Sequence, residues 1–191
     1  MKYIAMAALL LTLGVTAVSA QETTVKMKFS GTSAPSAVNL LQPNTSNDED
    51  NFAGNSPLGS FTVRNIRAIA NFPPPTPPSN CSGPNQLYLL ELAGGSVFRF
   101  QDGSLLYLNL TQGADCIDLT TNEAHCTLTL QITGGTGRFK NASGTLTMTE
   151  TVLTVLSDAG GNPVFFAATG EFTGTISGVA TEDQRDDAQS Q

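Results

Sequence analysis

The chain has 191 residues with nine basic against sixteen acidic side chains, a net charge of −7, so nucleic acid and anionic membrane surfaces are poor partners. Its single histidine excludes a histidine-rich metal site, and its length fits one domain with a real core.

Residues 1–20 run from Lys2 through an apolar stretch containing Ile4, Leu9 and Val15 to the small-residue site Val18-Ser19-Ala20. This is the pattern of a secretory signal peptide, its apolar core too short for a comfortable membrane span. Cleavage before Gln21 leaves a net charge of −8 and an exported, secreted or periplasmic protein with no membrane span. The expected organisation is a leader over 1–20, one domain over 21–180 and a disordered acidic tail over 181–191.

From Thr23 onward, apolar residues recur with period two rather than at helical spacing, so the chain reads as all-β. In chain order the expected strands are Thr24 to Phe29, Gly59 to Ala70, Gln86 to Leu92, Ser96 to Gln101, Ser104 to Thr111, His125 to Thr133, Gly144 to Leu156, and Val164 to Ala180. Ala93-Gly94-Gly95, Asp102-Gly103 and Asp158 to Pro163 read as turns. Gly31 to Pro57 reads as a long polar loop, and Phe72 to Pro78 as a polyproline arm; either is placed to cover a barrel mouth. Consecutive hairpins favour an antiparallel eight-stranded up-and-down β-barrel of the calycin type, which removes its own edges by closing.

The glycine-rich run Thr133-Gly134-Gly135-Thr136-Gly137-Arg138-Phe139, followed by Ala142-Ser143-Gly144, resembles the strand-connecting signature of allene oxide cyclases, dirigent proteins and bacterial secreted proteins of that barrel type. Phe98 to Gly113 is similar to that family's central hairpin, and Leu58 to Thr62 to an early strand. The resemblance implies a barrel with a hydrophobic cavity, no cofactor, and frequent trimers or dimers. Its catalytic residues do not carry over, because Thr24 to Phe29 offers neither the acid nor the amide of the cyclases, and Glu91, Glu150 and Arg99 have no clear counterparts in dirigent proteins.

Glu150 is the sharpest chemical candidate, since it shares a strand face with Leu146, Met148 and Val152, and a carboxyl in an apolar setting acquires a raised pKa suited to acid-base work. Phe98, Phe100, Tyr107, Met148 and Glu150 are the expected ligand-binding set, with Phe165, Phe166 and Phe172 as further aromatics of the core or pocket. Glu171 and His125 lie on polar faces. Asn47-Asp48-Glu49-Asp50-Asn51 lacks the glycine and distant glutamate of a calcium loop, and no metal is expected. Cys116 and Cys126 flank a short polar connection, so a Cys116–Cys126 disulfide is expected, with Cys81 free or paired elsewhere.

Three functions fit these residues. The first is a secreted barrel binding a small apolar molecule without metal or organic cofactor. The second is a cofactor-free cyclase or isomerase acting on an oxygenated lipid through Glu150. The third is a structural surface or matrix protein whose barrel is filled by its own side chains. Substrate identity and oligomeric state are open at this level.

Overall fold

The computed structural model describes residues 22–180 except 39 and 41; the expected leader over 1–20 and the expected tail over 181–191 lie outside these. Eight strands follow one another: β1 (Thr23–Pro35), β2 (Thr45–Ser56), β3 (Gly59–Ala70), β4 (Gln86–Phe100), β5 (Leu105–Asp118), β6 (Glu123–Gly135), β7 (Ser143–Ser157) and β8 (Pro163–Ser177). Each pairs antiparallel with the next, and β1 pairs with β8, as in Met27 opposite Phe172, to close the barrel.

Two element assignments differ from the sequence reading and compensate in the strand count, while β1 and β5 run on to Pro35 and Asp118, beyond their expected ends at Phe29 and Thr111. Thr45–Ser56 is a strand, not part of a loop. Its inward positions include Asp48 and Asp50 as well as Phe52, so neither face shows an apolar row. Conversely, Gln86–Phe100 is one strand, not two joined by a turn. Ala93-Gly94-Gly95 stays extended beneath close-packed β3, where a Cβ on Gly94 would lie 2.7 Å from the Ile66 carbonyl oxygen.

Register slips decide which side chains point inward. Opposite Ala68 and Ile69, β4 carries one extra residue, and β5 slips against β6 between Leu110 and Gln112. A bulge of this kind exchanges the faces of everything beyond it. In β4 the inward residues are Ser96, Phe98 and Phe100 on one side of the irregularity and Glu91 on the other; in β5 they are Leu106 and Leu108, then Asp115.

The interior therefore has two halves. The half near the β2–β3, β4–β5 and β6–β7 turns is filled with phenylalanines: Phe29 stacks on Phe52 at 4.5 Å between centroids, and Phe172 lies 4.8 Å from both Phe29 and Phe98. That end is stoppered by the glycine-rich connection, a short 3-10 turn over Gly137–Phe139. Gly137 has φ +57°, a left-handed conformation that glycine adopts without strain, and the turn drives Phe139 inward against Phe100 at 4.6 Å. Arg138 covers both rings, 5.0 and 4.8 Å from their centroids. The opposite end carries the longer connections 36–44 and 71–85.

The disulfide joins Cys81 to Cys116, and Cys126 is free and buried, which corrects the expected Cys116–Cys126 bridge. The reason is pleat geometry. Cys126 lies opposite Asp115 and points inward with it, whereas Cys116, the next residue, points to the outer face and meets the proline-rich segment there.

Candidate functional site

The inward row of β3 runs Phe61, Val63, Asn65, Arg67, so the alternation that builds the aromatic half carries an arginine on into the other half. The Arg67 side chain is 3% exposed, and four other strands supply carboxylates to it, two beside β3 and two from across the barrel. Asp50 on β2 lies 3.0 Å from its Nε, Glu91 on β4 accepts from Nη1 at 2.6 Å, Glu150 on β7 stands 3.1 Å from Nη1, and Asp115 on β5 stands 3.9 Å away. Asn65 donates to Asp50 at 2.7 Å, and Ser96 donates to Asn65 at 3.1 Å, which fixes Asp50 as the guanidinium's ordered partner. Gly113 on β5 makes room for this layer: a Cβ there would sit 3.1 Å from Glu91 Cβ and 3.2 Å from Leu128 Cγ.

Four carboxylates around one guanidinium cannot all be ionised out of water, because burying each unpaired charge costs several kcal/mol, roughly. The layer responds by holding protons. Burial raises the Glu150 pKa to about 7; Arg67 pulls it down, the charges of Asp50 and Asp115 push it up, and the neighbouring Cys126 thiol lowers it. Burial likewise pushes Glu91 well above the usual carboxyl range against the pull of Arg67, helped by Asp115, with which it shares a hydrogen bond. Burial also raises the Cys126 thiol, reinforced by Asp115 and Glu150, so this cysteine is a neutral thiol rather than an activated nucleophile. For Arg67 burial acts downward, but the surrounding carboxylates outweigh it and keep the guanidinium charged.

Continuing each strand from the layer toward the long-loop end brings apolar side chains to the interior face: Leu87 and Leu89 beyond Glu91, Ile117 beyond Asp115, Ala124 beyond Cys126, Val152 beyond Glu150, and Phe166 on β8. All but Val152 are partly exposed, which marks them as the rim of the mouth. Asp48 joins the rim from β2, its carboxyl pKa raised by burial.

Of the residues singled out in the sequence, Glu150 enters the layer. Phe98, Phe100 and Met148 are 0%, 2% and 0% exposed and fill the aromatic half. Tyr107 alternates with inward Leu106 and Leu108, so it faces outward, a correction to its place among pocket residues that follows from the pleat. His125 is on the outer wall beside Thr151 and Glu123, and Glu171 pairs there with Lys26 at 2.8 Å. Sequence reasoning did not find Asp50, Arg67 or Asp115, and it left Glu91 unassigned; the row Phe61, Val63, Asn65, Arg67 held the signal for the arginine. Clefts of about 750 and 400 Å³ lie on the outer wall, the first against Lys26, Lys28, Ala53 and Asn55 and the second against His125, Thr149 and Glu171. The titratable side chains converge inside instead.

No family model matches the chain, and no curated protein matches it. Among solved structures it is similar to the pterocarpan synthase dirigent protein GePTS1, with a TM-score of 0.36 and 12% identity, covering 90% of this chain and 97% of that one. The closed eight-stranded barrel follows from the strand register itself.

Proposed function

We propose that this is an exported barrel that binds a small, largely apolar molecule through the mouth at the long-loop end, with the Arg67 layer as the floor that recognises its polar group. The observation that carries the reading is the position of a buried arginine and four carboxylates directly beneath an apolar rim. A barrel filled only for stability has no use for such a layer, since an apolar core of equal volume is as stable or more so. The stoppered aromatic half leaves the rim as the way in. The leader pattern and the Cys81–Cys116 bridge support export to a secreted or periplasmic location. Exposed Leu153, Val155, Leu156, Val164 and Phe165 on the β7–β8 hairpin support a homo-oligomer.

Mass spectrometry of an organic extract of the protein, purified from its native source, tests the reading. One dominant compound in near-stoichiometric amount is expected. An empty extract, together with no stabilisation by any small apolar compound, would leave the filled structural barrel.

A second reading is favoured by the burial of Glu150 beside Arg67, which raises its carboxyl pKa to about 7. A cofactor-free cyclase or isomerase needs a group that exchanges a proton near neutral pH. Glu150→Gln separates the two, because binding survives the substitution and acid-base turnover does not.

A further inference from the structure

The buried layer has an excess of acceptors as well as of negative charge. Asp50 accepts from Arg67 Nη2 at 3.4 Å and from Asn65 at 2.7 Å. By contrast Glu91 Oε2, Asp115 Oδ1 and both Glu150 oxygens, four acceptors against the single donor Arg67 Nε, lack a well-formed hydrogen bond among the described residues, although the Glu91 and Glu150 side chains are 0% exposed. Among the described residues, the Arg67 guanidinium, the Cys126 thiol and a proton held between Glu91 and Asp115 are the donors beside them. One guanidinium faces four carboxyl groups, so each proton the layer gives up adds a negative charge that Arg67 alone does not balance.

A complementary ligand head brings positive charge and donors without acceptors. An alkylammonium group does this with three N–H donors. A carboxylate adds to the imbalance, and a hydroxyl does not reduce it. Among the described residues no group of three or more His, Cys, Asp or Glu side chains has the spacing for a metal ion. The rim sets the rest of the molecule: Leu89 and Leu87 stand two and four residues beyond Glu91, roughly 7 and 13 Å along the strand.

We propose that the site takes a primary amine in its ammonium form, its head among Glu91, Asp115 and Glu150 and its apolar body against Leu87, Leu89, Ile117 and Phe166. This rests on the binding reading above and names the ligand class for it. Binding is coupled to a proton: as the ammonium arrives, protonated Glu150 gives its proton to solvent. Affinity therefore falls about tenfold per pH unit below pH 7 and levels off above it. The groups facing Glu150 across the layer are Asp48 and Asp50 from β2, Asn65 and Arg67 from β3, Glu91 and Ser96 from β4, Asp115 from β5 and Cys126 from β6; β1 contributes Ser33, and β8 contributes Ala168 and Gly170.

Calorimetric titration of the mature protein with octylamine, octanol and octanoate near pH 6 and pH 8 tests the assignment. Octylamine is expected to bind at least about tenfold tighter than the other two at pH 8, to weaken by about tenfold at pH 6, and to lose that pH dependence in Glu150→Gln. Octanol or octanoate binding as tightly as octylamine overturns the ammonium assignment and leaves the binding barrel standing. Failure of all three overturns the binding reading as well. If Glu150→Gln does not fold, Asp115→Asn serves, with weaker octylamine binding and unchanged octanol binding expected; equal loss for both ligands refutes the head-group contact.

Discussion

Raising the pH should weaken the fold through Glu150. Its folded pKa is about 7 against an ordinary 4.5, so the folded state holds a proton that the unfolded chain has released. A group raised in this way contributes stability that is fully present below 4.5 and is lost as the pH climbs through 7. The difference of about 2.5 units corresponds to roughly 3 kcal/mol, most of it gone by pH 7 and all of it by about pH 8.5. Glu91 and Asp48 are also raised, and they extend the loss in the same direction. Urea denaturation with the disulfide intact reads this as a midpoint lower by roughly 1–3 M at pH 8.5 than at pH 4.5. Glu150→Gln, which cannot ionise, should flatten much of that slope. A wild-type midpoint that rises over this range, or a variant that keeps the full slope, would refute a proton-holding layer.

Replacing Arg67 with methionine removes the cation that the carboxylates share and should cost roughly 3–5 kcal/mol, with part of the loss recovered in acid as the carboxyls protonate; equal destabilisation at pH 4.5 and 8 would count against it. Phe172→Ala, in the packed aromatic half, should cost about 3–5 kcal/mol, and Tyr107→Ala on the outer wall under about 1 kcal/mol, both by chemical denaturation. Cys81→Ser opens a link across a sequence separation of 35 and should cost about 4 kcal/mol in the chain-entropy account, and peptide mapping should recover Cys81 with Cys116 while Cys126 is alkylated only after unfolding. Finding Cys116 linked to Cys126 would mean that the face assignment of β5 is wrong.

Barrel class and six of the eight strands are legible from alternation and turn residues, because one face of each is apolar and the other polar. The remaining two show what such reading needs. Asp48 and Asp50 point inward from β2 because Arg67 is there to meet Asp50, and a strand polar on both faces resembles a loop until its partner is known. Within the layer, Glu150 was legible because no bulge interrupts its row with Leu146 and Met148. Glu91 and Asp115 reach the same layer across register slips, which make period-two counting from the Phe98 or Leu108 rows assign them outward. The disulfide failed for a related reason: adjacency in sequence across a hairpin does not place two side chains on one face.

Closure of the barrel by β1 on β8 has a kinetic consequence. This seam joins the two ends of the domain, Val25 to Gly174 and Phe29 to Gly170, so its loop-closure entropy is the largest of any strand pair. A meander with its first and last strands apart can pair all the neighbours that carry Asp50, Arg67, Glu91, Asp115 and Glu150, yet it leaves those carboxyls in water, where they are ionised at neutral pH. Desolvation comes only when the last seam zips. Refolding near pH 6 should therefore draw protons from a weakly buffered solution, and the uptake, followed with an indicator dye, times the closing of the ring rather than the formation of its hairpins.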